Sequence, residues 1–411
     1  MMKSRLQFLA AVVFSVLALT VQSAEIMVLP GDGTIASAIA SAADGDSLIL
    51  GEGTYSGVAT VDKSLTIRAE SRAVHPAVSS ALTISGEGIR VTIQGIAFSA
   101  APVLVAAAEI RLLQNQFVDS HLDGTQYRTT EGDGSLIVIG NSFFNSNLTN
   151  VYSEDAYIAG NVVSTGNILA FTSAWIIGND IYRVTDAAIT VYGAFARVIG
   201  NRVICAGSGG GVCLYSNALS SVIANNVVDF RISNDSQVKT AIRAGQGVIT
   251  NNVVTMQRSA TTRYDEGIET NVPGARITGN IVVEFSYGAA VPVRAAAPAE
   301  ITHNVCFNSD GDCPDGNGNL NVDPEFVDLI DYRLSPNSPA IDAGPLDYHL
   351  ADLDRSRNDI GAYGGPWSIG QFDAQRDPYT LAPYVYPKFE GTSAVQGGEI
   401  AVQAIGVARL R

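Results

Sequence analysis

One short phrase recurs along this chain and restricts its fold more than any other feature. "AWIIGNDI" begins at Ala174, "ARVIGNRV" at Ala196 and "ARITGNIV" at Ala275. Aligning the phrase places an Asn at 115, 141, 161, 179, 201, 226, 252, 280 and 304, with Ala69 and Gly95 at the same point in two earlier copies. From Ala69 to Asn304 the intervals average about 23 to 24 residues, a period that indicates stacked supersecondary units. Apolar residues alternate on both sides of the Asn, as Ile277 and Val283 do around Asn280, which is the period of a strand. A second apolar strand opens most units: "AAITVYG" at 187, "GVCLYSN" at 211, "TAIRAG" at 240, "EGIETN" at 266 and "AAVPVRA" at 289. A helix-containing leucine-rich repeat has a similar period but needs recurrent Leu at fixed offsets, and these phrases lack them.

Several short strands per unit, with no helical stripe between them, predict an all-β fold. The expected form is a right-handed parallel β-helix solenoid of about 11 turns, on the order of 50 Å long at the inter-strand spacing. Asn suits a sharp corner because it tolerates left-handed backbone and its amide can bond to the next Asn in a stack, so the column reads as architecture rather than chemistry. An open solenoid end exposes unpaired edges and needs a cover. "TIASAIASAADGDSLILGEGTY" supplies one, as a short helix capped by Thr34 and ended at Gly45, before the chain enters the first strand.

This opening, with "LTIRAES" after it, resembles that of secreted right-handed parallel β-helix proteins of the pectate-lyase-like superfamily. "NVDPEFVDLIDYRLSPNSPAIDAG" and "DRSRNDIGAYGG" are similar to the closing segment of bacterial members. The resemblance spans about residues 30–366 and implies carbohydrate-active chemistry, often β-elimination from a uronic-acid polymer. It carries over no catalytic residue. The Asn-Thr-Asp, Asp-Asp, Gly-His-Gly and Arg-Ile-Lys elements of polygalacturonases are missing, as are the Asp-Pro-His-Asp of mannuronan epimerases and the Trp-Ile-Asp-His of pectate lyases.

Residues 1–24 read as an export signal, with Lys3 and Arg5 ahead of "FLAAVVFSVLALTV" and cleavage after Ser23 or Ala24. The β-helix domain is placed at 25–366 and a C-terminal extension at 367–411. A secreted or periplasmic location follows, with no membrane span after the signal. Four cysteines form two local pairs, Cys205/Cys213 and Cys306/Cys313, which an oxidising compartment would close as disulfides. Beyond the signal the chain carries 23 Lys/Arg against 40 Asp/Glu, too acidic for a general nucleic-acid binder. Residues 183–294 are the exception, with ten bases against seven acids.

Chemistry has to sit on outward strand positions. If Ile189, Val212, Ile242, Ile268 and Val291 face inward, then Thr190, Tyr192, Cys213, Tyr215, Arg243, Glu269 and Arg294 face outward in adjacent turns, with Tyr152 extending the row. "TTRYDEGIET" adds Arg263, Tyr264 and Asp265 on the loop entering the same strand. Tyrosines stack on sugar rings and guanidinium groups pair with carboxylates, so the row suits an acidic polysaccharide. In a lyase, Arg243 or Arg294 would neutralise the uronate and Arg263, Tyr215 or Tyr264 would act as the base, with Tyr152, Tyr192 and Asp265 binding substrate. A hydrolase would need two facing carboxylates, for which Glu269 and Asp265 are the close pair. The competing reading is a non-catalytic envelope or surface protein that uses the solenoid as a binding rod. "NSDGDCPDGNGN" clusters Asp310, Asp312 and Asp315 in the oxygen-rich pattern that calcium favours, which a disulfide-closed Asp/Gly turn would equally contain.

Overall fold

The computed structural model describes residues 23–86, 88–105, 109–124, 135–150, 155–183, 187–207, 211–218, 220–232, 239–258, 265–285, 291–308, 312–373, and the strands at 384–389 and 402–407. Three parallel sheets run its length. The first stacks thirteen strands from Glu25–Val28 to Glu300–Thr302, and the second thirteen from Gly31–Asp32 to Val305–Phe307. The third stacks eleven, from Ala59–Val61 to Val291–Ala295. The chain visits the three in turn, and each strand pairs with its counterpart one coil away. This is the all-β parallel solenoid that the repeat predicts, consistent with a right-handed coil.

The inward residues explain why the register holds. Ile158, Ile176, Val198, Ile223, Ile249 and Ile277 are ladder partners in six successive strands of the first sheet and all are buried. Fully burying each such side chain is worth about 1.5–3 kcal/mol, and a slip of one residue would turn the whole set outward.

The Asn column lies at the corner between the first and second sheets. Each Nδ2 donates to the Oδ1 of the next Asn, from Asn115 through Asn141, Asn161, Asn179, Asn201, Asn226, Asn252, Asn280 and Asn304 to Asn319, at 2.9–3.1 Å. Two details differ from the sequence expectation. The left-handed residue is the one before the column Asn: Gly178 and Gly200, then Asn225, Asn251 and His303, with φ between 53° and 64°. In the second early copy the column position is Ile96, whose N–H donates to Asn115 Oδ1, while Gly95 takes the corner conformation. Ala69, one step past the Arg68–Gln94 pair, lies level with Gly95, so both early copies of the phrase fall one residue ahead of the column.

The cap is the α-helix Thr34–Ser41, whose Ile35, Ala38 and Ile39 close the core. Gly33, not Thr34, is its N-cap, and the Thr34 hydroxyl bonds back to the Gly31 carbonyl. The helix ends at Ser41, before Gly45 is reached. At the other end, residues 320–373 fold back without long strands on the outer face of the second sheet. Tyr332, Ala340, Ile360, Ala362 and Ile369 build a second core there with Val227, Val253, Ile281, Val283 and Val305. Asn225 Nδ2 donates to the Ala362 and Gly364 carbonyls, and Phe372 lies so close over Gly200 that its ring leaves no room for a Cβ.

Asp352 ties this closing segment together by accepting from the Asp359 and Gly365 N–H groups. Burial pushes its carboxyl up to about 6 against those bonds, while an unperturbed Asp titrates near 3.8. The folded state therefore holds the proton more tightly, so this group's contribution favours folding increasingly as pH falls through about 6 and is complete below about 3.8. In urea unfolding, Asp352→Asn should remove that part of the pH dependence, shrinking the stability difference between about pH 5 and about pH 7.5. Identical pH profiles for variant and parent would refute it.

Candidate functional site

The outer face of the third sheet brings together most of the described candidate residues. Thr190, Tyr215, Arg243, Glu269 and Arg294 are ladder partners in five successive strands, following Leu169. Thr190 is buried at the start of this column. Tyr192 stands one position beyond its strand. Its exposed ring stacks on Phe171 at 5.1 Å and meets Tyr215 edge-on at 5.7 Å, so three aromatic rings lead into the charged rungs.

Those rungs hold a residue that alternation misses. Glu266 should face inward by a strict count of two from Ile268. Yet Ala188 with Ile189, Cys213 with Leu214, and Ala241 with Ile242 are consecutive pairs in the core, so the period breaks where the chain turns into the third sheet. The break returns positions three apart to one face. Thr240 and Arg243 then lie beside Glu266 and Glu269 on the next rung. Arg243 Nε donates to Glu269 Oε2, Arg243 Nη2 donates to the Thr240 hydroxyl at 3.1 Å, and Arg294 Nη1 donates to Glu266 Oε1. The Thr240 hydroxyl is 3.0 Å from Glu266 Oε2 and 3.2 Å from Glu269 Oε2. Both glutamates are buried, while the side chains of Arg243 and Arg294 are 34% and 65% exposed, so the cations form the outer layer. Burial pushes the Glu269 carboxyl up, but the hydrogen bonds and charge of its neighbours, Arg243 and Thr240 among them, outweigh burial and hold it below the ordinary Glu range. The bond to Glu266 raises the Arg294 guanidinium further.

Other expected residues fall elsewhere. Cys213 is buried rather than outward, because it belongs to the paired core positions and forms a disulfide with Cys205 across the corner from the second sheet. Cys306 and Cys313 form the second disulfide. Asp265 is buried and accepts from the Lys239 backbone N–H at 3.0 Å, a tie between strands that leaves no open carboxylate for substrate. Lys239 is itself fully buried at the entrance to its strand, and sequence reasoning passed over it. Tyr152, Arg263, Tyr264 and Asp310 lie outside the described residues. Asp312 and Asp315 are exposed in a turn pinned by Asn319 and Asn321, and among the described residues no group of three or more His, Cys, Asp or Glu gathers as metal ligands.

The carboxyl geometry restricts the chemistry. Two-carboxylate glycoside hydrolysis needs both groups open to the sugar, whereas Glu266 and Glu269 are buried behind the arginines and share the Thr240 hydroxyl. The site resembles an ionic ladder with an open cationic edge and an aromatic approach.

The stacked three-sheet coil with this outer ladder defines the class: the chain is a parallel β-helix protein. No family model and no curated protein matches its sequence. Among solved structures it is similar to a pectate lyase, at 13% identity and a TM-score of 0.40, over 83% of this chain and 96% of that one. It is also similar to a mannuronic-acid-specific polysaccharide lyase of family 6 from the human gut microbiota, at 13% identity and a TM-score of 0.30, over 74% and 83% of the two chains.

Proposed function

We propose that this is a secreted protein that holds an acidic polysaccharide along the outer face of the third sheet and acts on it in a lyase-like manner. The observation that carries this reading is the single ladder column Tyr215–Arg243–Glu269–Arg294, approached by the rings of Phe171 and Tyr192. Successive rungs are about 4.8 Å apart, close to the length of one sugar residue, so a chain lying along the solenoid axis would meet rings first and guanidinium groups next. Arg243, one rung from Tyr215, is suited to neutralise the uronate carboxylate of the reacting unit, and Arg294, the more open cation, supports a neighbouring unit. Tyr215, one rung from Arg243, is the described side chain suited to take the proton beside that carboxylate. As its phenolate, Tyr215 would take that proton, the double bond would form as the glycosidic bond breaks, and the phenol would return the proton to the departing oxygen, an elimination without water. Thr240 and the two glutamates set the position of the arginines.

A second reading has its own support. Both arginines are already bonded to glutamates, an arrangement that equally suits a rigid binding face without turnover. Incubation with alginate, pectate and glycosaminoglycans, following unsaturated-product absorbance and retardation in affinity gels, separates the two. Product with a uronate polymer supports the lyase. Retardation without product supports the binding rod, and neither signal with any polymer would sink both.

A further inference from the structure

The outer face of the second sheet is only partly covered. The closing segment packs over the later rungs and stops at Leu329 and Ile330, both exposed. Beneath that rim is a cavity of about 300 Å³, bounded by Val162, Tyr182, Ile204, Asp229, Leu329 and Tyr332. Beyond it the sheet continues bare. Val118, Phe144, Ser164, Tyr182 and Ile204 are ladder partners in five successive strands, and of these Val118, Phe144 and Tyr182, with Val162 beside them, are exposed. Large apolar side chains at four of the five positions of this column, with Ser164 between them, make a face suited to be covered.

We infer that the C-terminal strand pair Tyr384–Phe389 and Val402–Val407 docks on this strip and closes the cavity. The pair forms its own antiparallel two-stranded sheet, joined to none of the three solenoid sheets. A lone two-stranded hairpin is marginal in water. These strands, "YVYPKF" and "VQAIGV", carry one charged residue, Lys388, so they lack the polar surface that would let them stand free. The chain also departs from the right place. Asp373, the last described residue before the tail, accepts from Arg202 Nη2 at 3.0 Å, and Arg202 lies next to Asp180 and Val162 on the rungs of the cavity. Arg333 donates to the same carboxylate and fixes the exit. Ten residues separate Asp373 from Tyr384 and can span up to about 33 Å. The strip from the rung of Ile204 to that of Val118 covers four steps, about 19 Å. A six-residue strand is about 20 Å long, which matches the strip if the hairpin runs along the solenoid axis.

The four native cysteines are all disulfide-bonded, so one new cysteine gives a unique thiol. Phe144→Cys and Tyr182→Cys, each in the full-length chain, should react with a bulky maleimide at least tenfold more slowly than Leu346→Cys, an exposed control on the closing segment. Adding Tyr386→Asp and Ile405→Asp, which are cross-strand partners, should restore rapid labelling at 144 and 182 without changing the control or the melting temperature of the solenoid. Rapid labelling before those substitutions overturns the inference. So does protection that survives them, or protection that appears only as protein concentration rises, which would assign the strip to a second copy.

Discussion

Asn201→Ala is expected to remove roughly 3–5 kcal/mol of unfolding free energy, measured by urea denaturation, because it orphans several fully buried groups at about 1–3 kcal/mol each. Asn201 Oδ1 accepts from both the backbone N–H and the Nδ2 of Asn179, each at 2.9 Å. Its own Nδ2 donates to Asn226 Oδ1 and to the Ile176 and Ile199 carbonyls. Alanine keeps the backbone bond from Asn201 to Asn226 Oδ1 but supplies neither acceptor nor donor to the rest. Asn201→Asp should cost more, since it retains the acceptor while setting a carboxylate against the Asn226 oxygen in a dry corner. Loss of less than about 1 kcal/mol in the alanine variant would mean that the stack follows the coil without holding it.

The same column shows what was legible in the sequence. Its Asn residues could be aligned by eye because every coil needs the same bonds at the same corner, and strand alternation beside them gave the inward residues of the first sheet. The one-residue error at Gly95 arose because Gly marks the left-handed position while the side-chain stack belongs to the next residue. The functional face was half legible. Arg243, Glu269 and Arg294 follow from alternation, but Glu266 and Thr240 do not, because paired core residues break the period where the chain enters the third sheet. A signal was present all the same. "KTAIR" at 239–243 and "DEGIE" at 265–269 are 26 residues apart, and aligning them sets Thr240 beside Glu266 and Arg243 beside Glu269, as the ladder does. The closing segment was read only as a resemblance. Its contacts join residues more than a hundred positions apart, such as Asn225 to Gly364, and no local pattern encodes those.

Charge at the Arg/Glu rungs gives the second large effect, and it runs in opposite directions for the two residue types. Arg294→Ala should weaken binding of a uronate polymer roughly ten- to hundredfold, the worth of a charge-assisted bond of about 1.5–3 kcal/mol. The melting temperature should fall modestly, because the buried Glu266 loses this donor but keeps the Thr240 hydroxyl, with Arg243 close by. Glu269→Gln should move affinity the other way. It keeps an acceptor for Arg243 but removes one negative charge from beneath the cationic edge, so polyanion affinity should rise and its salt dependence steepen. A solvated ladder with no ligand would show neither change. Acid should reproduce the glutamine effect only at low pH: Glu269 is held below the ordinary Glu range, so its ion pair contributes stability above that range and loses it as pH falls through the lowered value. If Arg294→Ala and Glu269→Gln shift affinity in the same direction, the charges act through folding rather than on the ligand, and the third sheet is not the binding face.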